Sequence, residues 1–273
     1  MSRDLMHSAE VKQLVQDAYR NIPATTAAVA HKLYSAEELA QVPQRAIDCA
    51  LGVADHLRFA AIHLGETVLD LGCGGGIDTI LAARRTGPAG RVVALDFLPE
   101  MLRRTARAVA EAGLDNVEML EGEMEAIPLR DDQVDRIISN GVINLSPRKA
   151  RVVAECARVL RPGGRLCVSD LTVGQDELPP EILTQPTAWA GCVAGALAEE
   201  EFVRKLERAG FRDIHVPYRQ PMSVDDCALY PLFSPETIQL MRDLIPAEKQ
   251  QAVAVSIVVR AEFAGSGPAP ARP

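Results

Sequence analysis

The chain has no Cys-x-x-Cys pair, no apolar run long enough to span a bilayer, no basic excess and no internal repeat. Each absence removes a class of protein. Six cysteines are scattered over 273 residues, at Cys49, Cys73, Cys156, Cys167, Cys192 and Cys227. That scatter excludes a structural zinc ribbon and a thioredoxin-like dithiol. A bilayer span needs about 20 consecutive apolar residues, which excludes a transmembrane helix. The formal net charge of -8 argues against a broad nucleic-acid footprint, which needs basic excess. The opening "MSRDLMHSAEVKQ" has no apolar signal core, so a cytoplasmic location is expected. In a reducing compartment most of the cysteines stay free thiols.

What is present is ordinary globular composition, 48% hydrophobic and 24% charged, at a length that allows one large α/β domain. Short apolar runs at 66–72, 91–96, 116–122, 134–140, 165–171, 213–218 and 252–263 predict seven strands. Helical spacing fills 99–113, 147–164 and 199–211. The first of these has Pro99 near its first turn and Gly113 at its end. Strands alternating with helices predict a doubly wound, mostly parallel sheet with ligands at the carboxyl ends of the strands. Residues 1–60 read as a helical cover, with a Ser35–Glu38 capping signal. Residues 219–250 read as a second cover, inserted before the last strand. The expectation is one domain over 1–264 and a disordered Pro/Gly-rich tail over 265–273.

The most informative stretch is "VLDLGCGGG", Val68 to Gly76. An apolar strand runs into glycines that let a ligand approach the backbone. The G-x-G-x-x-G dinucleotide pattern fails in both registers, because Ile77 and Thr79 stand where its last glycine belongs. This speaks against a nicotinamide oxidoreductase. Asp70, two residues before the first glycine, would repel a pyrophosphate and suits a cationic ligand. Asp96 ends the second strand, where a carboxylate accepts hydrogen bonds from ribose hydroxyls.

"VLDLGCGGG", "VVALD", "GEMEAIP" and "LRPGGRLCVSDL" occur in order over roughly 60–175. This set resembles the class I S-adenosylmethionine-dependent methyltransferases. The resemblance implies an S-adenosylmethionine cofactor and a small-molecule substrate. It sets Gly72, Cys73 and Gly74 against the methionine part, Asp96 on the ribose, and Phe97 and Met101 beside the adenine. It sets Glu123 and Met124 at the adenine edge and Asn140 behind the sulfonium. For Asp70 it leaves two roles, bracing the glycine loop through its amides or touching the ligand. "YSAEELAQVPQ", "SNGVINLSPRK", "WAGCVAGAL" and "DDCALYPLFSPETIQLMRDLIP" extend the likeness over about 34–260, to the arsenite methyltransferases. That family implies thiolates holding a soft trivalent arsenic with its lone pair facing the sulfonium methyl. Cys192 matches one of these thiolates, and Gly141 stands where another belongs. Cys49 and Cys227 are further candidate thiolates; Cys73, Cys156 and Cys167 read as core or loop residues.

The resemblance therefore implies methyl transfer to a small molecule through an incomplete thiolate site. Two alternatives stay open. One is O-, N- or C-methylation of an organic acceptor, for which Gly141 makes room and Asp170, His31, Tyr34 or Tyr19 would serve as base. The other is a non-methyl-transfer reaction on the same fold.

Overall fold

The computed structural model describes residues 8–20, 25–173 and 178–265. Its strands are β1 Thr67–Leu71, β2 Arg91–Asp96, β3 Val117–Glu121, β4 Val134–Asn140, β5 Leu160–Thr172, β6 Phe211–Met222 and β7 Ala254–Phe263. They form one sheet in the order β3-β2-β1-β4-β5-β7-β6. β1 to β5 run parallel, and β7 lies antiparallel between β5 and β6. This is the expected doubly wound, mostly parallel sheet. Its strand order reverses between β1 and β4, which opens a crevice at their carboxyl ends.

The strands read as continuous apolar runs because both faces are covered. Alternate side chains divide between two layers. Val68, Ile138, Cys167 and Val258 pack under α1 Ser8–Arg20, α2 Ala27–Leu33, α3 Ala36–Leu39, α4 Gln44–Ile47, α5 Leu57–Ala60, α6 Ile77–Thr86 and α7 Pro99–Glu111. Leu69, Ile137, Val168 and Val259 pack on the other face. That face is covered by α8 Lys149–Val159, through Val152 and Val153, and by the helix over 199–208, through Phe202 and Leu206. After β5 come α9 Pro180–Leu183, α10 Pro186–Ala190 and α11 Glu199–Arg208. After β6 come α12 Val224–Cys227 and α13 Pro235–Leu244. The Ser35–Glu38 capping box is present on α3.

Several boundaries differ from expectation. The helix expected over 147–164 closes at Val159, and Leu160 already pairs with Val134. Pro162 disfavours the helical conformation at the residue before it, so the chain is extended there. The second cover begins at Ser223 rather than 219, because Arg219 to Met222 stay in register with Ile257 to Ala254. Residues 1–7 of the N-terminal cover and 266–273 of the tail lie outside the described residues.

Candidate active site

At the carboxyl ends of β1, β2 and β4 lies a cleft of about 900 Å³, the space at its mouth included. Gly72, Cys73 and Gly74 of the loop after β1 form its floor, and Phe97, Met101 and Met124 form one wall. The glycines serve different ends. A Cβ on Gly75 would lie 2.5 Å from the Cβ of Cys49, so glycine lets the N-terminal cover close on the loop. A Cβ on Gly74 would meet nothing within 4 Å, which keeps the space beside the backbone free for a ligand. Thr105 of α7 holds the loop through its hydroxyl, which donates to the Gly74 carbonyl at 2.8 Å.

Two carboxylates line this cleft. Asp96 accepts the Leu98 amide at 3.0 Å and the Gly74 amide at 3.1 Å, one on each oxygen. Its remaining lone pairs suit ribose hydroxyls. Burial pushes its carboxyl up to about 6, against those amides, which pull it down. The second carboxylate is Asp78, in the first turn of α6, where the helix N-terminus favours an acid. It accepts the Tyr34 hydroxyl at 2.9 Å and the Asn140 side-chain amide at 3.0 Å. Asn140 is fixed further: its oxygen accepts from Val53 N at 2.8 Å and from Ser169 Oγ at 2.7 Å. This knot ties α2, α6, β4, β5 and the 51–54 segment together at one end of the cleft.

Asp78 is the residue that the sequence reading missed; its only signal was an acid in the first turn after the glycines. The reading of Asp70 needs correction. Asp70 is 2% exposed, does not line the cleft, and accepts the Thr79 hydroxyl, which fastens α6 to β1. Burial pushes it up to about 8, and among the described residues no amide of the glycine loop donates to it. Glu123 also moves out of its expected place. It pairs with Lys12 of α1 in a side pocket, whereas Met124 lines the cleft.

A smaller pocket of about 270 Å³ adjoins the cleft. Met222 at the end of β6 and Tyr230, Leu232 and Phe233 of the second cover close it, with Cys192 in its wall. Tyr19, Leu51 and Gly141 line both cavities and mark the boundary where they meet. Cys192 is buried, with a left-handed backbone (φ 63°), and its thiol donates to the Gly141 carbonyl at 3.1 Å. Burial raises this thiol well above its ordinary range, so it rests protonated. Cys49 lines the cofactor-sized cleft instead, 3.7 Å from the Arg104 guanidinium. Cys227 lines neither cavity; it is wholly buried in the core, which corrects its candidacy as a thiolate. Among the described residues no three cysteine, histidine or acidic side chains gather as a metal site.

The four candidate bases fare alike. Tyr34 donates to Asp78, and burial raises its hydroxyl far above its usual range. Asp170 accepts Asn144 N, Asn144 Nδ2 and Leu171 N within 2.9 Å, which fixes the 143–145 turn rather than a substrate. His31 is exposed and lines neither cavity. Tyr19 is the one of the four that lines both cavities, and its hydroxyl donates to Ala190 O at 3.3 Å; burial raises it well above its usual range.

The donor set fits S-adenosylmethionine. It offers carboxylates at two places for ribose hydroxyls and an ammonium, glycine backbone, and an apolar wall of adenine size. Residues 62–210 match the model of a methyltransferase domain. An arsenite methyltransferase of Halobacterium salinarum is 42% identical over 183 residues, 67% of this chain and 46% of that protein. The human arsenite methyltransferase is 32% identical over 185 residues, 63% of this chain and 46% of that protein. An arsenic(III) S-adenosylmethionine methyltransferase from Chlamydomonas reinhardtii is similar in structure, with TM-score 0.60 and 27% identity. That likeness covers 94% of this chain and 75% of the other. The chain spans about half the length of the curated relatives it matches.

Proposed function

We propose a function from one premise: the chain belongs to the class I S-adenosylmethionine-dependent methyltransferase family, whose domain model covers more than half of it. The proposal is methyl transfer to a small, largely apolar molecule seated in the pocket beside Cys192. The observation that carries it is the boundary at Tyr19, Leu51 and Gly141, three residues that line both the cleft and that pocket and so set the two side by side. S-adenosylmethionine, when bound, supplies an electrophilic methyl on a sulfonium.

The chain's own residues supply positioning. With S-adenosylmethionine bound, Asp96 would accept from the ribose, Asp78 would face the ammonium, and Phe97 and Met101 would flank the base. The Tyr34–Asp78–Asn140 knot holds the 51–54 segment, and with it the Leu51 side of the boundary. α1 covers the cleft through Val15 and Tyr19 and is tied down by the Lys12–Glu123 pair. Such a cover excludes water from a sulfonium reaction. With acceptor and methyl held on the two sides of that boundary, orientation would supply most of the barrier reduction. No base in hand is free to ionise an acceptor, which favours one that is nucleophilic as bound.

Trivalent arsenic is such an acceptor, and it is the second reading. Its support is the kinship with proteins named arsenite methyltransferases and the presence of Cys192. Against it stands the thiol set, with Cys49 in the cleft, Cys227 in the core and glycine at 141. The test is a methyl-transfer assay with arsenite and methylarsenite plus a small thiol, beside a panel of apolar amines, which carry a lone pair without ionising. Turnover confined to the organic panel supports the first reading. Turnover of arsenicals that vanishes in Cys192→Ala supports the second. S-adenosylmethionine binding without turnover of any acceptor refutes both.

A further inference from the structure

A second cavity, of about 470 Å³, lies at the other end of the sheet, where β4 and β5 begin. Register places its residues side by side: Arg136 pairs with Arg165, Cys167 with Arg260, and Arg260 with His215. Paired residues project to the same face, so three guanidiniums and an imidazole line one wall. Their charges are unevenly matched. Arg136, 1% exposed, and Arg165 share the single carboxylate of Glu66. Arg260 is exposed, and among the described residues no hydrogen bond or ion pair engages it or His215. The two acids at the rim, Glu262 and Asp213, are both drawn to Arg212.

The backbone around this cavity is also unusual. Ala61 (φ 47°) and Asp213 (φ 49°) both line it in the left-handed region. The β6–β7 register shifts between Arg212 and His215. Strained residues and bulges concentrate where a fold shapes a site. Phe59, Ala60 and Ala61 add apolar surface, while the side chains of Leu166 and Ala261 pack in the layer on the other face of the sheet.

We propose that this cavity binds a small oxyanion carried on an apolar body. The phosphate or carboxylate would sit on Arg260 and Arg165, and the apolar part against Phe59. Guanidinium suits such groups because its planar donors match two oxygens at once. The site is separate from the methyl-transfer cleft, and the inference does not depend on the acceptor there.

Calorimetric titration of the full chain with phenyl phosphate, benzoate and inorganic phosphate tests it. Expected is saturable binding of phenyl phosphate or benzoate, weakened about tenfold or more in Arg260→Gln, as loss of a charge-assisted contact implies. His215→Gln should weaken it less, and the affinity for S-adenosylhomocysteine should stay unchanged in both variants. Preference for phenyl phosphate assigns the natural ligand to phosphate esters; preference for benzoate assigns it to carboxylic acids. No saturable binding of any probe overturns the proposal. So does equal affinity in Arg260→Gln, or displacement of the probe by S-adenosylhomocysteine.

Discussion

Gly141→Cys separates the two readings of the acceptor pocket. Gly141 has φ 73°, a region that costs a non-glycine residue roughly 1–2 kcal/mol. A Cβ there would sit 3.2 Å from Val53 Cγ1 and 3.7 Å from Leu51 O, so Val53 must give by a few tenths of an ångström. The expected stability loss is therefore about 1–2 kcal/mol, which in a domain of this size lowers Tm by roughly 2–8 °C. Val53 lines the acceptor pocket, so the new thiol enters the wall that already holds Cys192. The strain falls on the folded state with or without ligand, so it lowers Tm without weakening arsenic binding. Gly141→Ala supplies the control, with the same backbone strain and no thiol. Differential scanning fluorimetry should show both variants shifted alike. Methylarsenite titration should show the cysteine variant binding at least about tenfold more tightly than the alanine variant, as a second thiolate on a chelate requires. Equal arsenic affinity in the two variants would refute the placement of residue 141 on the acceptor wall.

Four further outcomes follow from the geometry. Asp78→Asn sets an amide against two donors, Tyr34 and Asn140, and removes charge facing the ammonium. S-adenosylhomocysteine affinity should fall by about 1.5–3 kcal/mol, roughly tenfold to a hundredfold by calorimetry, while Asp70→Asn leaves it nearly unchanged. Asp96 is raised to about 6, above its unfolded value, so its carboxyl favours the fold at low pH and loses that contribution as pH rises through 6. A ribose that prefers the ionised acceptor reverses this, so S-adenosylhomocysteine binding should tighten as pH rises from about 5 to 7; a flat profile contradicts the assignment of Asp96. Gly75→Ala drives a Cβ into Cys49 and its carbonyl, and overpacking of about 1–3 kcal/mol should appear in urea unfolding together with weaker cofactor binding. Glu66→Gln leaves Arg136 buried without its carboxylate, and urea unfolding should register a loss of about 3–5 kcal/mol.

The sheet was legible because its central strands are covered on both faces and therefore read as unbroken apolar runs. β6 was legible only in part. It is an edge strand with alternate residues exposed, and Pro217 and Pro221 sit in it without interrupting a buried ladder, so its twelve residues looked like six. The position of the cleft was readable from glycine and acid spacing, whereas the choice between Asp70 and Asp78 as its lining acid was not. Both are acids beside the same glycines. What separates them is Tyr34, which arrives from 44 residues away on the cover and selects Asp78. The acceptor half was hidden for the same reason. Tyr19, Leu51, Cys192 and Phe233 meet from four segments, and no local period reports that meeting.

Gly141 shows why a motif departure carries more than a missing side chain. Read as sequence, glycine there means a lost thiolate and spare volume. In the structure the same residue sits in a left-handed turn at the end of β4, its amide donates to Ser169 O, and its carbonyl accepts the Cys192 thiol. Backbone conformation and thiol state are thus linked. The carbonyl holds Cys192 as a neutral donor, and burial keeps its proton on. A soft metalloid would have to displace that proton and break that bond before it gained a single sulfur ligand. An apolar acceptor in the same pocket leaves both untouched. On this ground the geometry favours the organic acceptor, and a Cys192→Ser variant tests the step. Serine keeps the donor to Gly141 O but cannot bind arsenic, so organic turnover should survive within a few-fold while any arsenical turnover disappears.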